Sequence, residues 1–331
     1  MSEPPPAHMR ALQVTTLSEA FEGVEIVTAL TPTLKVGEAL VRVRAAALGF
    51  PALLMTRGAY QHRPDTPFIF GGDFAGEVVA VSENAGVTLG ARVAGGAITG
   101  SFAEYLAVPA QGLLPIPEGV SFAHAACFPS AYVTAHVSLV HAARIELGEW
   151  VLVLGAAGGV GLAAVDIALA LGAKVIAGAS SEAKRAALRA YAPDAHVIDT
   201  TKPFKDVVRE ISGGGVNVVF DPVGGDLFAE AMSCLTFAGR MLVIGFASGD
   251  IPTLSANRAL IKHVSVIGVR AGEFSRRFPE KRRETMQHLM ALWSRGAIRP
   301  HIDASFPLDA WRDGVERMTS RACVGRVVLK P

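Results

Sequence analysis

The sequence predicts an α/β protein in which a doubly wound parallel-sheet domain interrupts a β-rich domain. Three observations carry this. Between 150 and 269, short apolar strands alternate with helical segments, the pattern of a parallel sheet covered on both faces. The first of these strands runs into a glycine-rich turn, Ala156-Ala157-Gly158-Gly159-Val160-Gly161, which opens a helix. Before this region the chain reads as strands, and after it the pattern is mixed. A chain of 331 residues suits about two domains.

The elements follow in order. Met1-Ser2-Glu3-Pro4-Pro5-Pro6 has no apolar stretch after a basic start; it is expected to be a short disordered leader and not a signal peptide. Residues 39–45 alternate apolar and basic side chains, as a half-buried strand does. Residues 76–81 and 91–94 are short apolar runs between glycines, and Pro115, Pro117 and Gly119 punctuate the end of the β-rich region. An Ala-rich helical stretch covers 121–143. Strands are expected at 150–155, 174–179, 196–199, 216–220, 240–246 and 265–269. Helices are expected at 160–171, 182–190, 204–211 and 227–237. A helix at 280–295 and a strand at 326–330 complete the chain. Residues 1–125 and 271–331 therefore form the β-rich domain, and 126–270 the inserted domain.

Half of the residues are hydrophobic and the formal net charge is +1. The longest basic cluster, Arg276-Arg277 with Lys281-Arg282-Arg283, is broken by Glu280 and closed by Glu284, and reads as a solvated helix face. No nucleic-acid or anionic-membrane partner is expected. Cys127, Cys234 and Cys323 lie far apart, with neither metal nor redox spacing; a reducing, cytoplasmic setting is expected. The run 151–173 is apolar except for Asp166, but Gly155, Gly158, Gly159 and Gly161 fit a strand, turn and helix better than a membrane span.

The turn carries the chemistry. Gly158 lets the backbone approach a pyrophosphate, Gly161 lets helix and strand pack closely, and the helix N-terminus offers free N–H groups. In its strand–turn–helix context the motif indicates a dinucleotide. Versions that bind NAD place an acid at the end of the second strand to hold the 2′-hydroxyl. Here Ala179 stands there, followed by Ser180, Ser181 and, one helical turn later, Lys184. No carboxylate repels a 2′-phosphate at that place and Lys184 supplies charge, so the expected cofactor is NADPH. Glu182 is expected to face solvent.

With these residues in view, the chain resembles the zinc-free quinone oxidoreductase-like branch of the medium-chain dehydrogenase/reductase superfamily. The resemblance covers nearly the whole chain. Its markers are 56–60, 67–76, 156–161, 220–225, 243–249, 257–268 and 325–329. It implies a GroES-like β-barrel catalytic domain beside a Rossmann domain. The places of the catalytic zinc ligands in zinc-dependent relatives are held by Gly49, Gly72 and Ser130, so no metal site is expected. Without zinc to polarise an alkoxide, the implied reaction is hydride transfer from NADPH to a quinone or to the C=C of an α,β-unsaturated carbonyl. Tyr60 matches a tyrosine that enoyl-thioester reductases of the superfamily use near the substrate; a phenol there donates a hydrogen bond or a proton, or else simply lines the pocket. Thr134, Gly245 and Phe246 match residues near the nicotinamide, and Asn257 and Arg326 are further cofactor candidates. Gly49 and Ala52 replace polar residues usual in the branch, which implies a more apolar pocket. An enoyl-thioester reductase, with Arg57, His62 and Arg63 forming a basic path, and a non-catalytic NADPH-binding protein are the alternatives. The expected partners are a hydrophobic small molecule and a second copy of the chain, paired through an exposed apolar edge strand at 265–269.

Overall fold

The structure, a computed structural model, describes residues 4–331, so the first three residues of the expected leader lie outside it. It consists of two compact units. One takes the chain up to Ser130 and again from His301 to Pro331; the other is Ala131–Pro300.

The second unit is built on six parallel strands. In spatial order they are His196–Asp199, Lys174–Ala179, Trp150–Val153, Val216–Asp221, Leu235–Val243 and Ser265–Gly268. The chain starts in the middle, winds outward to one edge, then returns and winds to the other. Strand order thus reverses beside Trp150–Val153, and an open α/β sheet binds ligands in the crevice at such a switch point. The strands are apolar because helices cover both faces: Val151, Leu152, Val153, Val175, Ile176, Val218 and Val219 are fully buried. Helix Gly159–Ala170 is buried over most of its length, which explains the long apolar run. Among the described residues no helix is long and apolar enough to cross a membrane.

The one charge in that run, Asp166, is buried. It accepts hydrogen bonds from the Tyr132 hydroxyl (2.7 Å), the Tyr191 hydroxyl (2.7 Å) and the Arg299 N–H (2.9 Å). Burial pushes its carboxyl above the ordinary aspartate range, and these three bonds oppose the shift.

Helices Ala271–Arg277 and Pro279–Ser294 correct the expected boundary at 271. They remain with the parallel-sheet unit, which runs on to Pro300. Their polar side chains have partners there: His288 Nδ1 lies 2.9 Å from His136 Nε2, and Thr285 Oγ1 2.9 Å from His141 Nε2. The expected helical stretch 121–143 is broken into Phe122–Ala126, Pro129–His136 and a π-helical turn, Val137–Ala142. Pro129 has no N–H to continue the first helix and opens the second.

In the other unit, strand Glu38–Ala47 is central. It pairs antiparallel with Asp73–Val81, Tyr105–Pro109 and Arg326–Lys330. The last of these also pairs in parallel with Ile302–Pro307, so the returning chain end completes this unit's larger sheet. A three-stranded sheet packs Val24–Leu30 and Phe68–Ile69 on either side of His8–Val14. Phe70, Phe74, Phe102, Leu12, Leu48 and Leu53 fill the core.

Candidate functional site

The glycine turn excludes a side chain at Gly161 and leaves room for a Cβ at Gly158. A Cβ on Gly161 would sit 2.3 Å from the Gly155 carbonyl oxygen, and one on Gly158 would sit 3.4 Å from the same atom. Gly155 itself has φ of 55°, in the left-handed region that glycine adopts without strain. Ala156 is buried and its N–H donates to the Gly178 carbonyl of the neighbouring strand (3.0 Å). Helix Gly159–Ala170 then begins at Gly158 with no side chain capping it. The N–H groups of Gly159, Val160 and Gly161 have no acceptor within the helix, and the positive end of its dipole lies with them. These residues fit a pyrophosphate.

Two further strand ends meet this turn. Asp221, almost fully buried, accepts the N–H groups of Val223 (2.8 Å) and Gly224 (2.9 Å). Burial raises its carboxyl above the usual range, opposed by those two bonds. The loop after Leu235–Val243 hangs on this turn: Ile244, Ala247 and Ser248 donate to the carbonyls of Asp221, Pro222 and Val223. Gly245 and Phe246 lie in that loop and not in the strand. The strand ends three residues sooner than expected, because the chain beyond Val243 bonds to the Asp221–Val223 turn instead of extending the ladder. Phe246 is 37% exposed, so it is not core. Thr134 sits half-buried on helix Pro129–His136. The Tyr132–Asp166 hydrogen bond ties that helix to the one opened by the glycine turn.

At the end of the second strand, Ser180 is exposed. Ser181 caps helix Glu182–Tyr191 by accepting the Lys184 N–H. Glu182 is solvent-facing, as expected, but it is also held. Its carboxylate pairs with Arg185 (2.9 Å) and Arg189 (2.8 Å), and hydrogen bonds from Arg189 first and Arg185 second pull its pKa down. Sequence reading missed Asp199, which sits beside Ala179 in strand register. Thr201 and Arg185 engage it. Asn257 is exposed on helix Ala256–Lys262, and no hydrogen bond joins it to the turn among the described residues.

The remaining candidates belong to the other unit. Tyr60 follows helix Phe50–Thr56, packs against the core at its ring, and makes no hydrogen bond among the described residues. Arg57, part of the expected basic path, is engaged: it pairs with Glu19 (3.3 Å) and lies over the Phe21 ring. His62 and Arg63 are exposed. Arg326 is held by three intramolecular partners. Its Nε donates to the Leu48 carbonyl (3.0 Å), Nη2 to Asp73 (2.8 Å) and Nη1 to the Ser130 hydroxyl (3.4 Å). The guanidinium and the Asp73 carboxylate are both nearly buried. No role for Asp73 was expected from its sequence neighbours. Only the fold brings it to an arginine 253 positions away.

This cluster stands where zinc-dependent relatives are expected to hold metal. A Cβ on Gly49 would lie 3.5 Å from Arg326 Nη2, Gly72 precedes Asp73, and Ser130 binds Asp73. A cation is already in place, and two of the three positions lack a side chain. The donor set does not fit zinc. Among the described residues, no group of three or more His, Cys, Asp or Glu is arranged to hold a metal ion.

Comparison with known proteins agrees with this architecture. Residues 35–118 match the alcohol dehydrogenase GroES-like domain family and residues 159–291 the zinc-binding dehydrogenase family. The quinone oxidoreductase-like protein 2 homolog of Nematostella vectensis is 36% identical over 304 residues, covering 90% of this chain and 83% of that protein. A probable oxidoreductase from Mycobacterium abscessus superposes with a TM-score of 0.88 at 34% identity, covering 99% of this chain and 100% of that one. The quinone oxidoreductase of Thermus thermophilus, solved alone and with NADPH, superposes with a TM-score of 0.85 at 31% identity, covering 98% of this chain and 100% of that one.

Proposed function

The chain belongs to the quinone oxidoreductase-like branch of the medium-chain dehydrogenase/reductase superfamily, and from that premise we propose an NADPH-dependent, zinc-independent reductase of quinones or of the C=C of α,β-unsaturated carbonyls. One observation carries the cofactor reading. The uncapped helix behind the glycine turn lies beside a strand that ends at Ala179 with Ser180, Ser181 and Lys184 in place of an acid. The nearby Glu182 and Asp199 are each paired with Arg185, which reduces their repulsion of a 2′-phosphate. NADPH in the Thermus thermophilus relative supports the same choice.

In this reading the N–H groups of Gly159, Val160 and Gly161 hold the pyrophosphate, with Ala156 and Gly158 shaping the turn. Ser180, Ser181 and Lys184 take the 2′-phosphate. Thr134, Gly245 and Phe246 lie against the nicotinamide, and Asn257 is a further contact of the cofactor. NADPH, when bound, supplies the hydride. The protein orients the acceptor and excludes water. The Tyr60 hydroxyl, which has no hydrogen-bond partner among the described residues, donates to the acceptor oxygen as charge builds on it. Arg326 is a further contact of the cofactor in this reading: Leu48, Asp73 and Ser130 take three of its five N–H donors. The edge strand Ser265–Gly268, with Val266 exposed, pairs with a second copy of the chain.

The test is NADPH oxidation against a panel of quinones, enones, nitroalkenes and enoyl thioesters. Turnover of quinones or enones is expected. Turnover confined to enoyl thioesters would move the assignment to that class, and no turnover with any acceptor would contradict a reductase.

A further inference from the structure

We propose that Arg185 is a specificity-determining residue for the dinucleotide: it neutralises Asp199, an acid that would otherwise hold a ribose 2′-hydroxyl and repel a 2′-phosphate. The inference rests on the NADPH reading above and names a residue that sets this preference alongside Lys184.

An acid is missing at the end of the second strand, but only from that strand. Asp199 closes the neighbouring strand and pairs in register with Ala179, the residue that stands in the acid's place. Adjacent strands run about 4.8 Å apart, so a carboxylate lies one strand spacing from the position that NAD-binding versions use. Its Oδ1 accepts the Thr201 hydroxyl (2.7 Å) and the Thr201 N–H (2.9 Å), and Arg185 Nη1 lies 3.0 Å from the same atom. The bonds from Thr201 hold the carboxyl below the usual aspartate range, so it is ionised. Its Oδ2 accepts no hydrogen bond among the described residues. Without a cation beside it, Asp199 is the acid the motif lacks: a carboxylate with one oxygen open to a hydroxyl donor.

Arg185 is that cation. Its side chain is 13% exposed, and Nη1 also donates to the Ala179 carbonyl (3.3 Å), which seats the guanidinium on the strand end itself. Nε donates to Glu182 (3.0 Å) and Nη2 lies 2.9 Å from the same carboxylate. Arg189 shares Glu182, and Lys202 acts on Asp199. Glu182 and Asp199 bring two negative charges to this corner; Lys184, Arg185, Arg189 and Lys202 bring four positive ones. A phosphate of about two negative charges balances the excess, and a 2′-hydroxyl does not. Arg185 alone among these cations pairs with both carboxylates. Its removal takes away a positive charge and uncovers Asp199 in one step, so NADPH and NADH respond in opposite directions. Loss of a cation that merely attracts phosphate weakens NADPH and leaves NADH alone.

The experiment is an equilibrium titration of the full chain with NADPH and with NADH, read by dinucleotide fluorescence. It compares the wild type, Arg185→Gln, Asp199→Asn and the double variant, with melting temperatures reporting the fold of each. Arg185→Gln is expected to weaken NADPH about tenfold, the worth of one screened charge, and to tighten NADH. Adding Asp199→Asn should return most of the lost NADPH affinity and remove the gain for NADH. Asp199→Asn alone should tighten NADPH severalfold, because Arg185 then keeps its full charge; this arm stands even where Arg185→Gln does not fold. An Arg185→Gln chain that weakens NADPH with NADH unchanged, or weakens both, overturns the proposal. So does NADPH binding that is indifferent to Asp199→Asn. A wild type that binds NADH as tightly as NADPH overturns the NADPH reading instead, while opposite shifts in Arg185→Gln would still uphold the role of Arg185.

Discussion

At the scale of single residues, selection of the 2′-phosphate is assigned to Lys184, the cation one turn into the helix that Ser181 caps. Lys184→Ala is expected to raise the Kd for NADPH about tenfold, the worth of one charge-assisted hydrogen bond, and to leave NADH binding unchanged. An equal effect on both dinucleotides in equilibrium titrations would contradict this. Tyr60→Phe removes only the proposed donor; kcat is expected to fall by about 10²-fold or more, with KM little changed. Much of this scale was legible in the sequence because sterics restrict the choice. Only glycine fits at 161, and an acid missing at 179 is as readable as one present. The Asp73–Arg326 pair was not legible, since nothing local to either residue indicates its partner. Asp199 was overlooked for a similar reason: it is far from the turn in sequence and adjacent to Ala179 only through strand pairing.

At the scale of elements, the glycine turn couples folding to binding. A valine at 161 must displace backbone, since the added Cβ alone would be 2.3 Å from a carbonyl oxygen. Gly161→Val is expected to destabilise the protein by about 1–3 kcal/mol, read as a lower denaturant midpoint, and to abolish dinucleotide binding even where the chain still folds. The alternation of strands and helices showed in the sequence because buried parallel strands are nearly uniformly apolar. Ends of elements showed less well. The strand expected at 240–246 is Leu235–Val243, because the apolar residues after Val243 belong to a loop that hydrogen-bonds to Asp221, Pro222 and Val223. The helices after 271 read as the returning domain, but their partners are His136 and His141, and tertiary partners leave no periodic trace.

At the scale of the whole molecule, stability should depend on a buried histidine. His136 is 2% exposed, and burial first, then His288 and His141, hold its pKa down at about 3. Those two histidines, with Lys281 and Glu284 beyond His141, are the titratable groups around it. The unfolded chain takes up this proton near 6.5 and the folded chain does not, so stability is lost as pH falls from about 6.5 toward 3. The Tm should drop with acidification in the wild type and less steeply in His136→Leu. Assembly makes a separate prediction. Val266→Asp on the edge strand Ser265–Gly268 is expected to give monomers in sedimentation where the wild type gives dimers. The central claim is a hydride transfer that uses NADPH and needs no metal. Its most direct measurement is NADPH consumption with the best quinone or enone acceptor after exhaustive chelation. Undiminished turnover, with NADH a much poorer donor, is the predicted result. Loss of turnover on chelation with recovery on adding zinc would contradict it.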